Sequence, residues 1–598
     1  MQDSSGGWKQ FNKLPFDKKR ISHHVKRASS ATNKHAHEYF ITRFENVRQV
    51  RKKILAWLLV VSLLIAAVAV QLAVFRQNYS LDTPGVGGTY VEGSMGPVDT
   101  LNPLYAQTPA ELTASKLIFS TLYTYDTTGH LIPDSAKTMK ISEDGRVYSV
   151  TLKDNIRWHD DQKLTAKDVA FTIQLIKNPQ SRSPLRVNWR DVQVKAVDDR
   201  TVEFTLPAPY AAFPYALNVP ILPEHILKNV AAASLRENHF SRSPVGSGPF
   251  EFKLLQAADA IHDHKVIHLV SNDSYYAGKP KLNRFEIHAY ASEQAILKAL
   301  RIDEVSGAQL PVMSKTEDMK SKGQKIINKS IDSGVYLILN NTSPTLSDIN
   351  VRRALQLGTD TGKVRKDIGE SLSALDLPFI ANQVSGGDIP KPAPTDTKRA
   401  GELLDQAGWK LEGKERKKDG KVLELNVTTI KDSQAITAIK NVASQWQDLG
   451  IKVNQNIIDP SLPGSNFWQD TLQPRNYDVL LHELLLGADP DVYAYWHSSQ
   501  IGANGYNFAN YNNSVSDAAL SSARSRVEPE LRSAKYKAFA KQWLEDAPAI
   551  GLYQQAIMYV YNPHTQTMDP SQQLVSAVDR LDNVIYWSVN LDTVYKTP

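Results

Sequence analysis

The sequence predicts an α/β fold behind one N-terminal transmembrane helix. Apolar side chains follow helical spacing over residues 436–449, and a strand pattern begins directly after the closing glycine, over residues 450–453. Alternating apolar residues over 148–152 and 202–206 each follow a tight turn and predict half-buried strands. Helices that lead directly into strands are typical of α/β sheets. The transmembrane helix is predicted from residues 54–75, which carry no charged side chain.

The apolar segment Ile54–Phe75 also predicts the orientation of the chain. Its 22 residues span about 33 Å as a helix, which is enough for a hydrocarbon core of about 30 Å. Five basic residues lie within residues 43–53, whereas Arg76 is followed by no Lys or Arg until Lys116. The positive-inside rule therefore places residues 1–53 in the cytoplasm and the large C-terminal part outside the cell membrane, with a single pass.

The alternative to an anchor is a signal peptide cleaved near Ala67–Ala69. The apolar region of a signal peptide is normally about 7–15 residues long and follows a short basic stretch, and this segment is longer and follows 53 residues. The chain has no cysteine, which excludes disulfides, thiolate metal sites, cysteine nucleophiles and a lipid-anchored N-terminal cysteine. We therefore expect residues 54–75 to be the membrane anchor.

Length and charge bound the class of protein. With 598 residues, 42% of them hydrophobic, the chain should form several globular domains. Residues 1–53 form a basic tail of net charge +9, which leaves −3 for the remainder of a chain whose net charge is +6. Because membrane orientation explains this tail, we predict no nucleic-acid partner. Residues 76–87 are polar and rich in Gly and Pro, so they are predicted to be a linker.

The stretch IRWHDDQKLTAKDVAF (Ile156–Phe171) combines a histidine with neighbouring acids, as acid–base and metal sites do. Thr165 and Asp168, however, have the spacing of a capping box in which Thr165 is the N-cap of the following helix. Turn-type hydrogen bonding explains the acids at 160 and 161. We interpret the stretch, including His159, as scaffold rather than as a site of chemistry.

The other motifs do not predict an enzyme. His482-Glu483 begins like a zinc-binding H-E-x-x-H, but position 486 is leucine, and the chain contains no P-loop and no G-x-S-x-G. The segment HDHKVIH places His262 and His264 on one face of a strand, with His268 nearby. A metal site and a solvated edge strand both fit this pattern, and no carboxylate or cysteine cluster supports the metal. We therefore predict an edge strand, with no metal and no cofactor.

Ordered motifs over residues 88–560 resemble a known family. They are DTLNPL (Asp99–Leu104), STLYTYD (Ser120–Asp126), the long stretch from Gly129 to Phe171, PVGSGPF (Pro244–Phe250), NDSYYAGKP (Asn272–Pro280), LNNTSPTLSDINVRRAL (Leu339–Leu355) and EDAPAIGLY (Glu545–Tyr553). Together they resemble the family 5 extracellular solute-binding proteins of ABC importers, the dipeptide-, oligopeptide- and nickel-binding group. The chain departs from the family pattern at Asp161, where a glycine is usual, and over Leu297–Gln309.

The resemblance implies a two-lobed, class II periplasmic-binding-protein-like fold with an extra inserted domain, in which the lobes close on a solute. Motif order divides the chain as follows: lobe I at 88–107, 243–335 and 556–598; the inserted domain at 108–242; lobe II at 336–555. Hinge crossings are then expected near Gly334–Asn340 and Tyr553–Gln555. In this family the Trp-His-Asp stretch belongs to the scaffold of a lobe, which agrees with the capping-box interpretation.

The resemblance also implies where a ligand binds. In peptide-binding members an acid in a Gly/Ala-Asp segment of lobe II pairs with the α-ammonium of the peptide, and LLLGADPDVYAYW (Leu484–Trp496) matches that segment. Asp489 is then the first candidate and Asp491 the second, because a buried cation requires a fixed anion. We expect Asp489 to have no partner inside the protein. The alternative is that Asp489-Pro490 forms an ordinary turn.

Five further candidates follow from the same resemblance. The first strand, YVEGSMG (Tyr90–Gly96), faces the acidic segment in the family, and its backbone can bind an extended peptide as an added strand. Its side-chain candidates are Glu92, Ser94 and Met95. The aromatic residues Trp496 and Tyr511 are expected to be pocket walls.

The function implied is that of a membrane-tethered, monomeric substrate-binding protein that captures di- or oligopeptides and delivers them to ABC permease subunits. Two alternatives stay open. Within the fold, the solute is a nickel chelate, a haem or an oligosaccharide. In another class, the lobes report ligand binding through the membrane helix, although a tail of 53 residues is short for an enzymatic output domain.

Overall fold

The computed structural model describes residues 44–259, 264–369, 371–460, 462, 464–589 and 591–595. These residues separate into two units, residues 44–83 with 593–595 and the described residues of 84–592. In the first unit, helix α1 (Phe44–Tyr79) contains the stretch Arg51–Val74, which is long and apolar enough to cross a membrane. Strand β1 (Ser80–Pro84) follows, where the sequence predicted a linker. The basic tail before residue 44 lies outside the described residues.

The second unit is a mixed α/β structure, as predicted. Its strands are β2 (Thr89–Met95), β3 (Tyr123–Tyr125), β4 (Leu131–Pro133), β5 (Ala136–Ile141), β6 (Val147–Leu152), β7 (Gln193–Ala196), β8 (Thr201–Thr205), β9 (Phe250–Asp259), β10 (His264–Ser271), β11 (Arg284–Tyr290), β12 (Gly307–Leu310), β13 (Lys325–Leu339), β14 (Lys410–Glu412), β15 (Glu415–Lys418), β16 (Lys421–Val422), β17 (Glu424–Ile430), β18 (Lys452–Ile458), β19 (Val479–Leu485) and β20 (Ala549–Tyr561). The last strand, β21 (Leu591–Tyr595), belongs mainly to the first unit, where it pairs with β1.

The helices of the second unit are α2 (Pro109–Ile118), α3 (Ala166–Lys177), α4 (Arg186–Trp189), α5 (Phe213–Ala216), α6 (Glu224–Leu227), α7 (Glu293–Arg301), α8 (Glu317–Ser321), α9 (Ile349–Leu357), α10 (Thr361–Ile368), α11 (Thr397–Gln406), α12 (Ser433–Asp448), α13 (Tyr493–Trp496), α14 (Ser514–Ser525) and α15 (Pro529–Asp546).

A ten-stranded sheet organises this unit, in the order β18-β17-β19-β13-β20-β12-β2-β11-β10-β9. The two long strands in its middle, β13 and β20, run antiparallel to each other from one half of the sheet to the other. Their pairing is interrupted between Ser330 and Gly334, close to the predicted hinge crossings. The boundaries of the lobes stay predictions.

Alternation along the central strands explains why helices cover both faces of the sheet. On β13, Leu337 and Leu339 pack into one hydrophobic core, and Tyr336 and Ile338 pack into another. Successive residues of a strand point to opposite faces. Because all four side chains are buried, both faces of β13 are covered. A separate four-stranded antiparallel sheet, β5-β6-β8-β7, lies in the predicted inserted domain.

Local sequence patterns predict several of these elements correctly. The alternating residues of β6 and β8 are buried at every second position. Helix α12 leads into β18, which pairs in parallel with β17, as expected for an α/β unit. Gly450 closes that helix with φ of +84°, a conformation in which a side chain is strained.

The stretch after Ile156 is scaffold, as interpreted from the sequence. Helix α3 begins after Thr165, and the Asp168 carboxylate accepts the Thr165 N–H at 2.7 Å and the Thr165 hydroxyl at 3.1 Å. The His159 ring bridges to the PVGSGPF loop: its Nδ1 accepts the Gly246 N–H, and its Nε2 lies 3.0 Å from the Gly248 carbonyl oxygen. Asp161 has φ of +66°, a conformation that favours glycine, which agrees with the glycine expected there from the resemblance.

Candidate functional site

The candidate site is built around the acidic loop, which we define as residues 486–497. It follows β19 and ends in the short helix α13. The N–H groups of Leu486 and Gly487 donate to the Asp332 carbonyl oxygen of β13, at 3.0 and 2.9 Å. Within the loop, the Asp491 N–H donates to the Asp489 carboxylate at 3.0 Å. These bonds hold the carboxylates of Asp489 and Asp491 in fixed positions beside β13.

Asp489 forms a bidentate ion pair with Arg532 of α15. The two guanidinium nitrogens lie 2.8 and 2.7 Å from its carboxylate oxygens, and the side chains are only 14% (Arg532) and 8% (Asp489) exposed. The expectation that Asp489 has no internal partner is therefore wrong. A carboxylate offers about four acceptor positions. Arg532 and the Asp491 N–H use three of them, which leaves Asp489 able to accept one more hydrogen bond.

Asp491 lies where the acidic loop meets the predicted inserted domain. The Arg524 guanidinium of α14 lies 3.4 Å from its carboxylate and stacks on the rings of Tyr210 and Tyr493. The Tyr210 hydroxyl bonds to Asp491, and the Ala211 N–H donates to the Arg524 carbonyl oxygen at 3.0 Å. Burial raises the pKa of Asp491, an effect that the Arg524 charge opposes. The acidic loop and α14 are therefore held in direct contact with the segment around Tyr210.

Asp332 is the acid of this region that lacks a basic partner. No Lys or Arg of the described residues pairs with its carboxylate, which bonds to Gln383 instead. The Gln383 amide also donates to the Gly487 carbonyl oxygen, so Asp332 lies directly beside the acidic loop. Burial, with a contribution from the Asp579 charge, raises the pKa of Asp332 to about 7. Above about pH 7 the ionised carboxylate would gain from the arrival of a cation.

Replacing Asp332 by asparagine should raise the free energy of unfolding at pH 8 by about 2–4 kcal/mol. The folded-state pKa lies above that of an unfolded Asp, so the stabilising contribution of Asp332 is complete below about pH 4 and is lost as the pH rises through 7. Urea unfolding at pH 5 and pH 8 checks this, with the exposed Asp388→Asn as control. An equal gain at both pH values would contradict the buried-acid account.

The candidates on β2 differ in how they are placed. Glu92 is fully buried, and its carboxylate accepts bonds from Tyr559 at 2.7 Å and Arg580 at 2.8 Å. The ladder between β2 and β12 ends at Gly93, so the backbone of Ser94 and Met95 extends beyond it. The Ser94 hydroxyl is buried and has no hydrogen-bond partner among the described residues. Of the three, Ser94 and Met95 are the ones placed to meet an added strand.

Trp496 and Tyr511 lie in a hydrophobic core rather than on the cleft. Trp496 packs edge-on against Tyr336 and Trp543, with ring centroids 6.0 and 5.4 Å apart. The Tyr511 hydroxyl lies 2.7 Å from both Asp546 and Ser516. Both rings therefore pack into this core, and the expectation that they are pocket walls is not met.

Residues that the sequence did not single out complete the site. Arg524 and Arg532 pair with the carboxylates of the acidic loop. The others are Asp332 and the tyrosines Tyr210 and Tyr215. Asp332 has a sequence signal, since it stands just before the predicted hinge. The arrangement brings fixed charges, hydroxyls and aromatic faces together without a nucleophile–base pair, which suits binding of a polar, cationic ligand.

Known proteins resemble this chain over most of its length. The family model described as bacterial extracellular solute-binding proteins, family 5 Middle, matches residues 130–506. The oligopeptide-binding protein AppA of Bacillus subtilis (strain 168) is 28% identical over 487 residues, which cover 79% of this chain and 87% of AppA.

Two solved structures share its fold. NikZ from Campylobacter jejuni, in complex with Ni(L-His), has a TM-score of 0.70 and 26% identity, covering 84% of this chain and 99% of NikZ. AppA from Bacillus subtilis, in complex with a nonapeptide, has a TM-score of 0.69 and 26% identity, covering 85% and 99%. The two-lobed α/β class predicted from the sequence is thereby confirmed.

Proposed function

Because the chain belongs to family 5 of the bacterial extracellular solute-binding proteins, which serve ABC importers and are not enzymes, we propose that it captures peptides between two closing lobes and delivers them to a permease. The observation that supports the peptide proposal is the acidic loop, whose carboxylates are held in fixed positions. Asp489 keeps one acceptor position beside the unpaired acid Asp332, so the cleft offers fixed negative charge to an α-ammonium.

The two halves of the sheet support a hinged closure. Lobe I is proposed to comprise 88–107, 243–335 and 556–598, with 108–242 inserted, and lobe II to comprise 336–555. The interrupted pairing of β13 and β20 gives the two crossing strands a place to bend. Ligand contacts that form only when Tyr210 touches the acidic loop then shift the equilibrium between the open and closed states toward the closed state.

Mass spectrometry of what co-purifies with the protein, followed by calorimetry, tests the peptide proposal. A co-purified peptide should bind through its free amino end, so the same peptide acetylated at its N-terminus should bind at least about 30-fold more weakly. Equal affinity for the two forms removes the ammonium anchor. A co-purified solute that lacks any amino group removes the peptide proposal altogether.

A nickel chelate is the second candidate, and the similarity to NikZ favours it. The cationic and aromatic groups Arg524, Arg532 and Tyr210 can bind the carboxylates and rings of such a chelate. Titration with nickel–histidine alongside the peptide separates the two. Saturable binding of nickel–histidine, with no peptide binding, assigns the cleft to the chelate.

We also propose that α1 anchors the protein in the membrane by a single pass, with the binding part outside. Protease added to intact cells should degrade residues 84–592, whereas an N-terminal epitope tag should stay protected, because the charge bias around residues 54–75 places the tail inside. Immunoblotting against both ends checks this. A soluble mature form that begins between residues 70 and 80 would show cleavage instead.

A further inference from the structure

Outside the cleft, three side chains that bind metals in other proteins converge on the edge half of the large sheet. One imidazole nitrogen from each of His264 and His288 and a carboxylate oxygen of Glu304 all lie within 4.8 Å of one another. His264 begins β10, His288 lies on β11, and Glu304 follows α7 in the turn before β12. The strand register places Val266 opposite His288, so His264 is the diagonal neighbour of His288 on the same face.

Each of the two histidines has one ring nitrogen without a hydrogen bond in the described part of the chain. His264 Nε2 and His288 Nδ1 are buried and have no hydrogen-bond partner among the described residues. His288 Nδ1 lies 3.8 Å from a Glu304 carboxylate oxygen. A buried polar atom without a hydrogen bond is costly, so two of them on histidines that lie beside one carboxylate require an explanation.

Neighbouring groups orient the ligands as outer-shell groups do in metal sites. The other nitrogen of His288, Nε2, lies 3.4 Å from the Glu286 carboxylate, which leaves Nδ1 free to coordinate. The Tyr290 hydroxyl donates to Glu304 at 2.9 Å, and the Tyr290 ring stacks on His264 with centroids 4.4 Å apart. A carboxylate that bonds to the far nitrogen of a metal-binding histidine fixes its tautomer and raises its basicity.

We propose that His264, His288 and Glu304 form a binding site for a first-row transition-metal dication such as Zn²⁺. Two imidazoles and one carboxylate are a borderline donor set that suits zinc, nickel and copper better than magnesium or calcium. Tetrahedral zinc holds its ligand atoms about 3.4 Å apart, so small side-chain rotations complete the site. Glu304 is exposed, which leaves the fourth position to water or to an external donor.

The sequence-based prediction that HDHKVIH forms an edge strand is wrong, because β10 pairs with both β9 and β11. The proposed site also departs from the expectation of no metal there. The sequence showed no carboxylate cluster beside the histidines, because Glu304 is 40 positions from His264 along the chain. His268, the neighbour considered there, bonds to Glu286 at 3.1 Å and is not among the three ligands. His262 lies outside the described residues.

Zinc binding to the full-length protein in detergent tests the proposal. Other histidines that would bind zinc are removed first, by a background variant in which His23, His24, His35, His37 and His262 are glutamine, purified without a histidine tag. Competition with a chromophoric chelator should show one equivalent of Zn²⁺ in this background. His264→Gln, His288→Gln and Glu304→Gln should each weaken it by more than about 100-fold, and Glu286→Gln by about 10-fold.

A matched control and a second measurement keep the outcome clear. His130→Gln removes an exposed histidine elsewhere and should leave zinc binding unchanged. Zinc should raise the melting temperature of the background but not that of the three ligand variants, whose metal-free melting temperatures show whether they fold. Unweakened binding in both His288→Gln and Glu304→Gln, or no saturable equivalent in the background, overturns the site.

Discussion

Replacing Glu92 by glutamine should lower the free energy of unfolding by about 3–5 kcal/mol, because it leaves Arg580 buried without an anion. The Arg580 side chain is 1% exposed and donates to Glu92 at 2.8 Å and to Thr113 at 3.0 Å. Glu92 also accepts from Tyr559, so one substitution disturbs the whole buried group. Denaturant unfolding measures the loss, and the exposed Glu143→Gln is the control.

A double variant separates this structural role from the ligand role predicted for Glu92. Changing Glu92 and Arg580 together to methionine removes both charges and should recover most of the stability, since buried ion pairs are often replaceable by apolar residues of similar size. Ligand affinity should then change by less than about tenfold. A large loss of ligand affinity in Glu92→Gln, with unchanged stability, would instead show that Glu92 contributes to ligand binding.

The second large effect is expected at Asp489. Asp489→Asn keeps the shape but removes the charge, so a bound ammonium loses its anion and affinity should fall by roughly 30- to 4,000-fold. The ion pair with Arg532 means that stability should fall as well, because the guanidinium is left without a partner. Calorimetry with one co-purified peptide measures the first effect, and unfolding measures the second.

The partner residue supplies the control for Asp489. In the double variant Asp489→Asn with Arg532→Gln, no buried charge is left unpaired, so stability should largely return. Affinity should stay low if Asp489 binds the ammonium. If the double variant binds as tightly as the wild type, Asp489 acts only as the ion-pair partner of Arg532. Asp332 is then the remaining candidate anion beside the acidic loop.

Much of the fold was predictable because its signals are local. The spacing of apolar residues over 436–449 and the glycine at 450 are sufficient to predict α12 and the strand that follows. Thr165 and Asp168 similarly predict the start of α3 within one stretch of sequence. Such patterns depend on neighbours along the chain, so they can be interpreted without tertiary structure.

The electrostatic partners were not predictable, because they are brought together only by the tertiary fold. Arg532 stands 43 positions after Asp489, and Arg580 stands 488 positions after Glu92. No spacing rule connects such residues. For the same reason, Trp496 could be expected at a pocket wall from its place beside Asp489, although its ring points into a core.

The distance in sequence between paired parts also bears on when this chain can fold. Strand β2 lies near the start of the second unit, but Arg580 neutralises its buried Glu92 from near the chain end, and β13 pairs with β20 more than two hundred positions later. Contacts between such distant residues form slowly, because the chain loses the entropy of loop closure before the contacts stabilise it. If the residues after the membrane helix cross the membrane in chain order, the sheet can therefore be completed only after residues 549–582 have crossed.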